Sequence, residues 1–151
     1  MRFAYERIEV DPSPADLARY VYRPVVPLTI FGPAGKAGIK GTLDSGAAET
    51  ILPAYLADEV GVSLRPESQG VLRGADGRPF VVDYGIVDLS VLLGRTRLRW
   101  RATVCFHPHR NDALLGDAGF LRHFTVTLNG PGRYATLQPN GKFPPAAMPT
   151  S

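Results

Sequence analysis

Leu43-Asp44-Ser45-Gly46-Ala47 is the stretch on which the reading of this chain turns. The residues before it, Ile39-Lys40-Gly41-Thr42-Leu43, alternate, with Ile39, Gly41 and Leu43 on one face, so the acid follows directly on a strand. An aspartate between an apolar strand end and a tight Ser-Gly turn is held by backbone N–H groups and a neighbouring hydroxyl, and so is preorganised rather than solvated. Gly46 permits a close backbone approach or a positive φ. The plainer reading of the same residues is an Asx-turn, in which Asp44 caps its own turn and does nothing more.

Working outward, Val25-Val26-Pro27-Leu28-Thr29-Ile30-Phe31 is β-branched and apolar, and residues 32–38 form a turn. Together they make a hairpin that delivers the chain to Asp44. After Asp44, residues 53–60 read as a short helix with Pro53 in its first turn and Gly61 as its stop. Val71-Leu72-Arg73 and Arg78-Pro79-Phe80-Val81-Val82 flank a hairpin tip, Gly74-Ala75-Asp76-Gly77. One long strand spans about 80–91 and a second 96–106, where Thr96, Leu98, Trp100 and Ala102 alternate with Arg95, Arg97, Arg99 and Arg101. Ala113-Leu114-Leu115-Gly116 is a short apolar strand, residues 118–124 a brief helix or turn, and residues 125–137 a last hairpin around Asn129-Gly130-Pro131-Gly132. Residues 13–20 suit one or two helical turns, with Ser13 as N-cap and Pro14 in the first helical position. The chain therefore divides into an arm (1–24), a domain (25–138) and a Pro-rich frayed tail (139–151).

Composition agrees with one small β domain. The chain has 151 residues, of which 16 are Gly and 14 Pro, a punctuation suited to many short strands joined by turns. Hydrophobic residues at 44% and charged residues at 21% describe a globular domain, and a net charge of +3 is too mild for a dedicated nucleic-acid binder. No apolar run is long enough for a membrane span, and the start of the chain has no signal-peptide core. Cys105 is the single cysteine, so no internal disulfide is available, and a reduced cytoplasmic setting is expected.

These residues resemble a family, the retropepsin-like aspartic proteases, single-domain relatives of pepsin. Three features carry the resemblance: Leu43-Asp44-Ser45-Gly46-Ala47; the trailing Thr50-Ile51-Leu52; and Ala113-Leu114-Leu115-Gly116. The run Asp117-Ala118-Gly119-Phe120-Leu121 is similar to the Gly-Asp-x-Phe-Leu run of pepsin lobes with one extra residue. The resemblance covers residues 24–128. It departs at Ala48, where the family often has an acid, and at Asp117, where the viral enzymes place an Arg that pairs with that acid.

The resemblance implies an all-β fold, a closed β-barrel of the acid-protease type with one or two short helices, working as a homodimer. It implies Asp44 as the catalytic residue, supported by Ser45, Gly46, Ala47 and Thr50, with Leu114, Leu115 and Gly116 as the second signature. Leu72, Gly74, Ala75, Asp76, Gly77 and Phe80 would form a flap over an extended peptide or protein substrate. Two carboxylates about 3 Å apart cannot both ionise, so they share a proton; one activates water while the other hydrogen-bonds the scissile carbonyl. One chain carries one Asp-Ser-Gly, so the pair requires Asp44 from each of two subunits about a two-fold axis. The implied activity is an aspartic endopeptidase without cofactor or metal, and without nucleic-acid or membrane partners. The alternative is a non-catalytic dimerising or peptide-binding module on the same fold.

The remaining signals are weaker. Gly35-Lys36 is followed by Ala37, where a P-loop needs Ser or Thr. Ser45 lacks the Gly-x-Ser-x-Gly frame of a nucleophile elbow. His107, His109 and His123 fit no structural zinc spacing and read as solvated loop residues. The stripe of Arg95, Arg97, Arg99 and Arg101 reads as a solvated, aggregation-resisting edge or as a surface for an acidic partner. Cys105 reads as a small buried apolar residue.

Overall fold

A computed structural model describes residues 1–15 and 17–144. The elements are β1 (Arg2–Ala4), β2 (Glu6–Glu9), β3 (Tyr20–Arg23), β4 (Val25–Gly32), β5 (Gly35–Leu43), β6 (Ile51–Pro53), α1 (Tyr55–Val60), β7 (Gln69–Arg73), β8 (Pro79–Leu93), β9 (Thr96–His107), β10 (Ala113–Leu115), β11 (Phe124–Asn129) and β12 (Tyr134–Pro139), with 3-10 turns at Pro66–Ser68 and Leu121–His123. The protein is all-β with short helical pieces. Strands β4, β5, β10, β6, β9 and β8 pair in that order, and β8 pairs back onto β4, which closes a six-stranded barrel. Closure is made over short stretches: β8 meets β4 at Thr29–Phe31, and β10 meets β5 at Gly41–Leu43. Strand β7 adds to β8 outside the ring, and β1, β12 and β11 form a separate three-stranded sheet.

The alternation read in the sequence fills the barrel. Val26, Leu28 and Ile30 from β4, Val87, Leu89 and Val91 from β8, and Leu98, Trp100 and Ala102 from β9 all point into one core with Leu115 and Phe120. Trp100 packs at 5.6 Å against Phe120, Phe124 and Phe143, and its Nε1 donates to Gly119 O at 2.9 Å. The buried indole thus has both an apolar jacket and a partner for its N–H. Strand β10 lies parallel to β5 and antiparallel to β6. The second apolar signature is therefore inserted between the strand that leads to Asp44 and the strand that leaves it.

Several expectations change. Residues 13–20 form no helix among those described; the arm instead folds as the β2–β3 hairpin, with Arg133 stacked 3.6 Å over the Tyr22 ring. Pro53 ends β6 rather than opening α1, because its segment pairs with His107 of β9. Strand β5 begins at Gly35, since cross-strand pairing with β4 continues to a tight turn at Gly32↔Gly35. The tail is not frayed as far as residue 144. Asn140 Nδ2 donates to Arg122 O at 3.1 Å, and Phe143 joins the Trp100 cluster. Residues 145–151 of the expected tail lie outside those described. The arginine stripe is partly spent within the fold: Arg99 and Arg101 both bond Asp88, and Arg97 donates to Ser90 Oγ.

Candidate active site

Asp44 is placed by backbone bonds on two sides. Leu43 N donates to Pro24 O at 2.8 Å, and Asp44 N donates to Leu115 O at 3.1 Å. The turn that follows closes on the aspartate itself, with Gly46 N donating to Asp44 Oδ1 at 2.9 Å and Ala47 N to Asp44 O at 3.2 Å. This is the geometry of an Asx-turn. The expected bond from a neighbouring hydroxyl is not made, because Ser45 points to solvent. Oδ2 has no hydrogen-bond partner among the described residues, and the side chain is half-buried.

The second signature lies directly beneath this turn. Asp117 N donates to Ala47 O, Ala118 N to Ala48 O, and Thr50 N to Ala118 O, each at 2.9 Å. A Cβ on Gly116 would stand 2.7 Å from Ala47 O, so only glycine lets the two segments approach this closely. Thr50 is buried, and its Oγ1 has no protein partner. The structure thus brings Asp44, Ser45, Gly46, Ala47, Thr50, Leu114, Leu115 and Gly116 into one contiguous unit.

Asp44 opens onto a cavity of about 540 Å³. Thr42, Val25 and Leu114 form its apolar and neutral wall, and Glu6, Ile8, Arg23, Lys40, Arg110 and Asp112 the rest. Lys40 pairs with Glu6 at 2.6 Å and Arg110 with Asp112 at 2.8 Å. Beside Ser45, on another side, lies a smaller apolar groove of about 210 Å³ lined by Leu43, Leu121, Phe124, Val126 and Leu128.

The residues expected to form a flap lie on the β7–β8 hairpin. Its tip is tied by Gly74 N to Arg78 O and Gly77 N to Gly74 O, both 2.9 Å, with Gly77 at φ 78°. Leu72 and Phe80 turn inward onto a small cluster of Ile51, Val82 and Cys105, whereas Ala75, Asp76 and Gly77 are exposed. None of these hairpin residues lines the Asp44 cavity; Leu114, which packs on the same small cluster, stands between them.

One group went unread in the sequence. Glu49 accepts from Tyr84 Oη at 2.9 Å with one carboxylate oxygen and from Cys105 Sγ at 2.7 Å with the other. Burial pushes the Cys105 thiol up to about 12, and the hydrogen bond to Glu49 adds to the effect. Burial likewise raises Tyr84, with its bond to Glu49 next in weight. Cys105 is thus buried as expected, but as a donor. No local spacing announces this group, since its members come from a loop and two different strands. His107 ends β9 rather than lying in a loop, and its ring sits 5.2 Å from Phe80. Burial, then Arg110 and His109, lower its affinity for a proton.

Among the described residues no group of three His, Cys, Asp or Glu is placed to hold a metal, and no helix is long and apolar enough to cross a membrane. No protein-family model matches the chain, and no curated protein matches it.

Proposed function

We propose that the chain is a retropepsin-like aspartic endopeptidase, active as a homodimer that pairs Asp44 of one subunit with Asp44 of the other. One observation carries the reading: β10 inserts between β5 and β6, so that Leu115 O receives the Asp44 amide while the carboxylate faces an open cavity. A turn-capping aspartate needs neither the inserted strand nor the cavity. In the dimer, one carboxylate takes a proton from water as the water attacks the peptide carbonyl, and the other, protonated, hydrogen-bonds the carbonyl oxygen. The proton then passes to the leaving amine. The apolar groove beside Ser45 supports the dimer, because it places exposed Leu128 next to the turn that must meet its symmetry mate.

A second reading, a peptide-binding or dimerising module without catalysis, is favoured by the Asx-turn bond, which occupies one carboxylate oxygen, and by the β7–β8 tip lining no part of the cavity. The two separate on one experiment. A diverse peptide library is incubated from mildly acidic to neutral pH with the parent chain and with Asp44→Asn, and dimerisation is measured by sedimentation. The endopeptidase reading expects cleavage by the parent, a bell-shaped pH profile, and loss of cleavage with dimerisation retained in Asp44→Asn. Equal cleavage by both chains overturns the assignment of Asp44.

A further inference from the structure

We infer that the β2–β3 hairpin is part of the substrate-binding wall, and that Arg23 on it selects a carboxylate side chain, Asp or Glu, in the peptide held at Asp44. The inference deepens the proposed function and rests on Asp44 marking the substrate cleft.

The hairpin is an addition to the barrel, paired only within itself as a two-stranded sheet. It nevertheless forms one side of the cavity that holds Asp44, through Glu6, Ile8 and Arg23. Its position is fixed by the Lys40–Glu6 ion pair to β5, by Tyr5 N donating to Arg133 O at 2.8 Å, and by Arg133 stacked on Tyr22. A wall anchored at three points keeps its side chains in register with the cleft.

Charge then singles out one residue. Three cations and three carboxylates line the cavity. Lys40 is taken by Glu6, and Arg110 by Asp112 with both of its carboxylate oxygens, at 2.8 and 2.9 Å. Arg23 stands directly across the hairpin from Glu6, yet no carboxylate among the described residues lies within ion-pair distance of it. The remaining acid in the cavity is Asp44, whose charge is halved in a dyad that shares a proton. The net field on a bound peptide is thus positive on the Arg23 side, and the guanidinium offers a planar fork that fits a carboxylate. Arg23 is exposed, so the preference is moderate and weakens with salt.

The test uses matched peptides with Asp or Glu, against Asn or Gln, at each position flanking the scissile bond. The parent chain is expected to favour the acidic member by about threefold to tenfold in kcat/KM. Arg23→Gln removes the preference, so that the acidic and amide members of each pair are cleaved with equal kcat/KM, and Arg23→Lys restores part of it. An unchanged preference in Arg23→Gln, or no preference in the parent, overturns the inference. If the parent cleaves no peptide, the same pairs are titrated calorimetrically. Acid-selective, Arg23-dependent binding then sustains the inference while the endopeptidase reading fails, and equal or absent binding of both members overturns the inference.

Discussion

The amide of Asp44 donates to the carbonyl of Leu115 at 3.1 Å, which joins the first signature of the chain to the second, separated by most of the barrel in sequence. Around that bond, Ala47, Ala48 and Thr50 exchange three further backbone bonds with Asp117 and Ala118. Four backbone bonds therefore tie the segment that carries the carboxylate to β10 and the residues that follow it.

Gly116 is the position where this arrangement has least tolerance. Gly116→Ala places a methyl against the carbonyls of Ala47 and Glu49. Backbone cannot move aside as a flexible side chain can, so we expect a loss of about 2 kcal/mol or more in urea denaturation, together with loss of cleavage. Parental stability in this variant would contradict the close approach described above.

Thr50 gives the opposite expectation. Its hydroxyl is buried and unpartnered within the protein, and such a group carries a desolvation cost without a return. Thr50→Val, of the same shape, is expected to be neutral or to stabilise by up to about 1 kcal/mol. A loss above that size would show that the hydroxyl has a partner in the assembled protein.

The Glu49, Tyr84 and Cys105 group sets an alkaline limit. The folded thiol is raised from 9.0 to about 12, so the folded chain holds a proton that the unfolded chain releases. Stability from this source is complete below pH 9.0 and falls as pH climbs toward 12, and the raised Tyr84 acts in the same direction. Denaturation midpoints measured across this window are expected to fall less steeply in a Cys105→Ala, Tyr84→Phe double variant than in the parent. Parallel slopes in the two chains would rule the group out as the cause.

Leu128 tests the proposed interface without touching the cleft. It is 52% exposed and lies in the groove beside Ser45. Leu128→Glu is expected to shift sedimentation to the monomer, abolish cleavage, and alter unfolding stability at high dilution by no more than about 0.5 kcal/mol. An active monomer would refute the need for two subunits.

Much of the barrel was legible because its strands alternate with period two, as in Leu98, Trp100 and Ala102 against Arg97, Arg99 and Arg101. The Asp44 turn and the Leu114–Gly116 run were legible because each is a local pattern with a local backbone demand. The β2–β3 hairpin was missed because Ser13-Pro14 is also a good helix start, and local preference there yields to pairing between Glu6–Glu9 and Tyr20–Arg23. Phe143 was hidden by its Pro-rich neighbourhood, although its ring completes the jacket of Trp100. Tyr84 and Cys105 face each other across the β8–β9 hairpin, but Glu49 carries no signal for joining them, since only the parallel pairing of β6 with β9 brings its loop there. The charges of the cleft were unreadable for the same reason, with Arg23, Lys40 and Arg110 on three different segments.

The central claim is that catalysis requires both copies of Asp44, and subunit mixing tests it most directly. Parent and Asp44→Asn chains are combined in equal amounts, allowed to exchange, and assayed at fixed total protein. Random pairing leaves about one quarter of the dimers with two carboxylates, so activity should fall to about one quarter of the all-parent value. Activity of about one half would mean that each Asp44 works alone, and would contradict the account.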